Sequence, residues 1–81
     1  MTTGERTVRL LSDLEEGRQA IIVKIGGAGA IRQRLLDMGV TRGTTILVER
    51  RAPLGDPIEI AVKGYHLAIR EDEARHIEVE S

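Results

Sequence analysis

The sequence predicts a mainly β fold, a small antiparallel barrel of five to six strands with one short helix and a second helical turn. The 81 residues include no Cys, Phe or Trp, so the core must come from 23 Ile, Leu and Val residues. These residues recur at every second position in short runs, which is the period of a half-buried strand. Gly, Pro and Asp residues separate the runs, and short connections of this kind favour antiparallel neighbours.

The clearest strand pair lies near the C-terminal third of the chain. Its apolar residues hold alternate positions on both sides of a turn at Gly64, namely Ile58, Ile60, Val62, Leu67 and Ile69. A second turn precedes it, and its residues are Pro53, Gly55, Asp56 and Pro57. This stretch predicts a hairpin with one face in the core.

The first residues divide into an arm and the start of the domain. We expect a frayed arm over residues 1–7 and a single domain over residues 8–80. A short strand is expected at 8–11. Ser12 and Asp13 follow it, and either side chain can cap one loose helical turn.

The next segment predicts a strand and then the helix. Over residues 20–25 we expect a strand in which Ile21, Val23 and Ile25 face one way. Four residues, 26–29, include three glycines and end this strand. A helix is expected at about 30–38, because Ile31, Leu35 and Met38 recur at helical spacing. Gly39 and Gly43 then suit a helix cap and a turn.

The remaining elements complete a small sheet. Strands are expected at 44–51 and 77–79, and one helical turn is expected at about 71–75, where acidic residues favour a helix N-terminus. A flat sheet this small leaves exposed edges, whereas a curled sheet reduces them. We therefore expect a partly open barrel.

The charges are unevenly distributed along a chain whose formal net charge is −1. Residues 18–51 hold seven basic and two acidic side chains, whereas residues 52–81 hold three basic and seven acidic ones. If the fold separates these segments, one surface is basic and another acidic; if it interleaves them, the asymmetry disappears. No apolar run is long enough to span a membrane or to form a signal peptide, so we expect a cytoplasmic protein.

A series of short motifs occurs in a fixed order over residues 8 to 80. The motifs are Leu14-x-x-Gly17, Arg34-Leu35-Leu36-Asp37-Met38-Gly39, Thr41-x-Gly43-Thr44, Pro53-Leu54-Gly55-Asp56-Pro57-Ile58, Gly64-x-x-Leu67-Ala68-Ile69-Arg70-x-x-Glu73-Ala74 and Ile77-x-Val79. The ordered set resembles the FeoA domain of bacterial and archaeal ferrous-iron uptake. With 81 residues, the chain resembles the free-standing form rather than the similar domains at the C-terminus of DtxR-like metal-dependent repressors.

This resemblance implies both a fold and a role. It implies an SH3-like barrel, linked to iron homeostasis and transition-metal ion binding, with no cofactor of its own. It also implies a cytoplasmic, non-catalytic interaction module that docks on or regulates FeoB, the GTP-hydrolysing ferrous-iron permease. In this interpretation Gly39, Gly43, Pro53, Gly55, Asp56, Pro57 and Gly64 are structural motif residues.

Few residues are candidates for metal binding or catalysis. His66 and His76 are the only histidines, and their spacing matches no compact metal motif, so we expect ordinary exposed histidines. There is no cysteine nucleophile, and Ser12 and Ser81 have no histidine near them in sequence, so we expect no enzyme. The acidic side chains near residue 72 are expected to form a solvated turn.

The segment Gly27-x-Gly29-x-x-Arg32 partly matches a dinucleotide-binding fingerprint. It follows a strand, opens a helix, and has Glu49 twenty residues beyond Gly29. The third glycine is missing and a hairpin follows, which favours a plain turn between strand and helix.

The remaining function classes depend on surfaces. The expected partner contacts are Arg32, Arg34, Arg50, Arg51, Leu54 and Tyr65. Two alternatives to the protein-docking module stay open: a nucleic-acid-binding barrel that uses the arginines, and a direct transition-metal sensor that uses the histidines. A single tyrosine is a poor platform for stacking bases, so nucleic acid is the less favoured partner.

Overall fold

The computed structural model describes residues 7–27 and 29–81. The elements in chain order are β1 (Val8–Leu10), a 3₁₀ turn (Leu11–Asp13), β2 (Gln19–Ile25), α1 (Gly29–Asp37), β3 (Thr45–Arg51), β4 (Ile58–Val62), β5 (Tyr65–Ile69), α2 (Glu71–Ala74) and β6 (Ile77–Glu80). The expected arm lies outside the described residues except for Thr7, which exchanges two backbone hydrogen bonds with Ser81. The division into an arm and a domain over 8–80 stays a prediction.

Six strands form one sheet in the order β1-β6-β2-β3-β4-β5, and each neighbouring pair is antiparallel. The short link through α2 carries the chain from β5, at one edge, to β6, next to the opposite edge, so the sheet must curl. The buried aliphatic side chains of β2 to β6 form a single cluster with those of α1, α2 and the segment after β1. The predicted mainly β architecture is confirmed, with β1 and β5 as the edges of this sheet.

The β4–β5 hairpin follows the predicted alternation. Ile58, Ile60, Val62 and Ile69 are buried, and Leu67 packs partly against the core. The turn consists of Lys63 and Gly64, whose φ angles are 49° and 88°. Positive φ at both positions is the geometry of a two-residue type I′ hairpin turn, and glycine adopts it without steric cost.

Strand β2 does not keep a single alternation along its length. Ala20 and Ile22 are buried, whereas Ile21 and Val23 are only partly buried. The pairing of β2 with β6 shifts between Ile22 and Lys24, and after this bulge Ile25 points into the core. The prediction that Ile21, Val23 and Ile25 face one way was therefore wrong, because one extra residue in a strand reverses the alternation beyond it.

Helix α1 ends as the sequence predicts. Leu35 is buried and Ile31, Leu36 and Met38 pack partly against the core. At the C-terminus the Gly39 N–H donates to the Leu36 carbonyl at 3.0 Å, and the Val40 N–H donates to the Leu35 carbonyl at 3.0 Å. With φ of 89° at Gly39, these two bonds form a Schellman cap.

The 3₁₀ turn after β1 is not capped by a side chain, so the predicted role of Ser12 and Asp13 was wrong. The turn closes through its backbone, since the Leu14 N–H donates to the Leu11 carbonyl at 3.1 Å. The Arg51 guanidinium, at the end of β3, donates to the carbonyls of Ser12 and Leu14. An arginine from a distant strand thus stabilises this turn.

Candidate docking surface

The loop between β3 and β4 is held by its own hydrogen bonds. The Ala52 N–H donates to the Pro57 carbonyl at 3.1 Å, and the Gly55 N–H donates to the Ala52 carbonyl at 2.7 Å. The Asp56 Oδ1 accepts the Glu71 N–H at 3.1 Å, at the first residue of α2. The loop is thereby closed on itself and attached to a second element, which restricts its conformations.

This loop presents Leu54 to solvent. The residue is 94% exposed, whereas the other exposed large apolar residues among those described, Val8 and Tyr65, are 52% and 40% exposed. A single exposed leucine is ordinary on a protein surface. A leucine on a restrained loop tip is better suited to enter a partner's pocket, because little conformational freedom remains to be lost.

Tyr65 is partly exposed but has a structural contact. Its hydroxyl donates to the Met38 carbonyl at 2.7 Å, which attaches the end of α1 to β5. A Cβ atom built at Gly39 would lie 2.1 Å from this hydroxyl, so the tyrosine occupies the space that only glycine leaves open. Neither residue has a local sequence signal for this contact, because they are far apart in the chain.

The predicted arginines fall into two groups. Arg51 is occupied by its contacts with the 3₁₀ turn, and the Arg34 guanidinium pairs with the Glu73 carboxylate. Arg32 is exposed, with its Nε 3.3 Å from the Ile25 carbonyl, and Arg50 is exposed at 3.7 Å from the Glu59 carboxylate. The pairs of Arg34 and Arg50 each join the basic segment to the acidic one, so the fold interleaves the charges there.

Glu73 departs from the expected solvated turn. The residue is only 4% exposed, and its carboxylate accepts the Arg70 N–H at 3.1 Å in addition to the bond from Arg34. An uncompensated buried carboxylate would be costly, so these partners explain its burial. The contact joins α1 to α2 across 39 positions of sequence, which no local pattern indicates.

The two histidines lie in different settings. The His66 Nδ1 is 2.8 Å from the Glu49 carboxylate, and its side chain is 72% exposed. His76 is half-buried, lies against Gly27, and lines a cavity of about 250 Å³ with Ile31, Asp72 and Arg75. Across the part of the chain that the structure describes, no three His, Cys, Asp or Glu side chains come together as a metal ligand set.

The glycine-rich segment does not open a dinucleotide fold. Strands β2 and β3, on either side of α1, pair antiparallel, whereas that fold requires parallel strands. Glu49 bonds to His66 rather than facing the helix N-terminus. Its described residues follow the end of β2 at Ile25 and begin α1 at Gly29, as expected for a connection between strand and helix.

Within residues 7–27 and 29–81, no helix combines the length and the apolar character needed to cross a bilayer. The longest helix, α1, has nine residues.

Comparison with known proteins identifies the fold and its relatives. The chain is 44% identical over 70 residues to the Fe(2+) transport protein A/Fe(2+) transporter FeoB fusion protein of Porphyromonas gingivalis, a match that covers 86% of this chain but only 8% of that protein. Among solved structures, an iron uptake regulatory protein (FeoA) is 37% identical with a TM-score of 0.84, covering 93% of this chain and 100% of the other. Stenotrophomonas maltophilia FeoA complexed with zinc, described as a procaryotic SH3 domain protein, is 28% identical with a TM-score of 0.73, covering 88% of each chain.

The SH3-like fold is thus confirmed by a relative as well as by the topology. The model of the FeoA domain matches residues 9–81, nearly the whole chain. The chain belongs to the FeoA domain family.

Proposed function

We propose that this chain is a non-catalytic accessory module of ferrous-iron uptake that docks on the cytoplasmic part of a FeoB-type permease. Its family membership supports this role, as does the relative in which one polypeptide carries both names. The observation that carries the proposal is the restrained loop that presents Leu54.

The energetics of Leu54 suit a docking anchor. A leucine side chain that passes from water into a pocket contributes about 1.5–3 kcal/mol. The loop is already closed by backbone hydrogen bonds and by the Asp56 contact. Little of the binding free energy is therefore lost to fixing the conformation of the loop. Arg32 and Arg50, both exposed, are proposed as further contacts, whereas Arg34, Arg51 and Tyr65 are occupied by structural bonds.

The interior of the barrel fits a non-catalytic role. Its core is aliphatic, and Glu73, the buried carboxylate of the described part, is engaged by Arg34 and by the backbone of Arg70. Regulation of a permease then depends on state preference, since a bound module shifts its partner only if it binds one conformation better than another. We place this binding in the cytoplasm, where the nucleotide-dependent states of the permease are formed.

The proposal is tested by titrating this chain with the cytoplasmic domain of the FeoB-type permease from the same organism, in the presence of GTP or GDP. We expect binding that differs between the two nucleotides, and a loss of at least tenfold in affinity for Leu54→Asp. Ala68→Asp, at another exposed apolar position, is the matched control and should stay within threefold of wild type. Absence of wild-type binding with both nucleotides would overturn the proposed function. If Leu54→Asp and Ala68→Asp lose affinity equally, Leu54 is not part of the contact.

A further inference from the structure

We propose that β5 is an open sheet edge through which two copies of this chain pair, antiparallel and about a two-fold axis at Leu67, so that their sheets join. This pairing does not depend on the proposed function, because it uses the backbone of an edge strand and not the Leu54 loop.

Strand β5 lacks the usual protection of a sheet edge. It pairs with β4 and ends the sheet that the described residues form. Proteins commonly protect such an edge with a charged side chain, a proline or a bulge. The strand reads Tyr-His-Leu-Ala-Ile, and its register with β4 runs without a shift. The opposite edge, β1, is three residues long and includes Arg9, so β5 is the edge more open to strand addition.

The free backbone groups of this edge belong to His66 and Ala68. The two-residue turn before β5 is closed by the hydrogen-bonded pair of Val62 and Tyr65. Because bonding alternates along an antiparallel strand, Leu67 also bonds to β4, whereas the N–H and C=O groups of His66 and Ala68 point away from it. Among the described residues, no hydrogen bond reaches these four outward groups.

The edge is accessible from the outer side of the sheet. Ala68 is exposed, and the His66 side chain is 72% exposed. Helix α1 meets β5 from the core side, through the Tyr65 hydroxyl, since Tyr65 lies opposite the buried Val62. The outer side of the edge is thus left open to a second backbone.

The spacing of the free groups selects a second copy as the occupant. His66 and Ala68 lie on either side of Leu67, so a two-fold axis at Leu67 places each His66 opposite the Ala68 of the other copy. Each such pair exchanges both N–H···O bonds. Leu67, which packs partly against the core, meets its own counterpart and adds apolar contact. The small alanine opposite His66 leaves room for the ring and for its 2.8 Å contact with Glu49.

Charges at the ends of the strand favour the same register. It places the exposed Lys63, at the hairpin tip, opposite Glu71 of the other copy, where α2 begins. Glu71 and Asp56 give that region two carboxylates against the guanidinium of Arg70, and Asp72 is already in an ion pair. The lysine of each copy therefore meets a region of net negative charge, which stabilises the antiparallel arrangement.

The test is the concentration dependence of the ¹⁵N-labelled chain, followed by sedimentation velocity and by amide hydrogen exchange. We expect a dimer that forms as the concentration rises to the millimolar range. The amides of His66 and Ala68 should exchange fast in dilute solution and at least tenfold more slowly in the dimer. The Leu67 amide, which bonds to β4, should be protected at both concentrations. A chain that stays monomeric, or a dimer in which His66 and Ala68 exchange as fast as in dilute solution, would overturn the proposal.

Ala68→Pro tests the edge directly, because it removes an outward N–H and no bond to β4, a position at which edge strands accept proline. The dimer uses this N–H twice, so its dissociation constant should rise at least about tenfold. Ala68→Ser, which retains the N–H, is the matched control and should stay within threefold. Equal dissociation constants for the two variants would contradict backbone pairing at this edge.

Lys63→Asp tests the register by a change that leaves the strand intact, so it also serves if Ala68→Pro does not fold. The φ of 49° at this position is one that aspartate accepts. The contact occurs twice in a symmetric dimer, so the dissociation constant should rise about fivefold or more. Lys24→Asp, with the same charge change at an exposed site on β2, is the control and should stay within twofold. Equal effects of the two lysine variants would refute the register.

Addition of the unlabelled cytoplasmic domain of the permease to the dilute chain distinguishes the other occupant. Protection of His66 and Ala68 that appears only with the permease domain, and not in the concentrated chain alone, would assign the edge to the permease and overturn pairing between copies.

Discussion

Replacing Gly39 by alanine tests how α1 is fixed to the edge strand β5. Gly39 has a φ of 89°, a conformation that costs a residue with a Cβ about 1–2 kcal/mol. The new Cβ would also lie 2.1 Å from the Tyr65 hydroxyl. Because Tyr65 is 40% exposed, we expect its ring to swing outward, which breaks the 2.7 Å hydrogen bond to the Met38 carbonyl.

The expected destabilisation is the sum of the backbone cost and the lost hydrogen bond. Loss of the Tyr65 hydrogen bond adds about 0.5–1.5 kcal/mol to the backbone cost, so Gly39→Ala should destabilise the fold by about 1.5–3.5 kcal/mol. Gly43 is the matched control, since its φ is 86° and a Cβ there would meet no atom within 4 Å. Gly43→Ala should therefore cost only the backbone term, about 1–2 kcal/mol.

A double-mutant cycle isolates the contact. In a Tyr65→Phe background the clashing oxygen is gone, and Gly39→Ala should then cost about as much as Gly43→Ala. The free energies of unfolding come from urea denaturation followed by far-UV circular dichroism, and each 1 kcal/mol corresponds to about 4–8 °C in Tm for a domain of this size. Equal costs for the two glycine variants in the wild-type background, or no coupling between Gly39→Ala and Tyr65→Phe, would show that the Tyr65 hydroxyl does not restrict position 39.

Three further predictions use the same unfolding assay. Glu73→Gln removes a buried charge bonded to a guanidinium and should lower the free energy of unfolding by about 1.5–3 kcal/mol, whereas Glu59→Gln, at a partly exposed site, should lower it by less than about 1 kcal/mol. Equal losses would contradict the buried role of Glu73. Ile22→Ala should lower the free energy of unfolding by about 2–5 kcal/mol, and Ile21→Ala should lower it by about 1 kcal/mol or less. The reverse order would show that Ile21, and not Ile22, faces the core. Arg51→Ala removes the donor to two carbonyls and should cost about 1–3 kcal/mol; an unchanged stability would show that the 3₁₀ turn does not need it.

Local sequence patterns predicted the structure correctly where they were compatible with a single backbone conformation. The β4–β5 hairpin combines strict alternation with Gly64 in the turn, and both point to the same register. The end of α1 is similar, because the helical spacing of Ile31 and Leu35 stops where Gly39 supplies the left-handed cap.

Local sequence patterns failed for β2, where either face of the strand could have been the core face. Strand β2 is aliphatic at Ala20, Ile21, Ile22 and Val23 in succession, so alternation could not select the core face, and the bulge that reverses the phase leaves no mark in composition.

Contacts between distant residues were also beyond sequence patterns. Glu73 looks like any acidic helix start, and its burial depends on Arg34, which the fold brings to it from another element. The proposed role comes from the family resemblance rather than from individual residues, because the proposed docking loop carries no catalytic or metal-binding motif.

The most direct test of an accessory role is ferrous-iron uptake by cells or vesicles that contain the FeoB-type permease, measured with no module, with the wild-type chain and with Leu54→Asp. We expect the wild-type chain to change the uptake rate and Leu54→Asp, while folded, to leave it at the rate of the permease alone. The same uptake rate under all three conditions would contradict an accessory role for this chain.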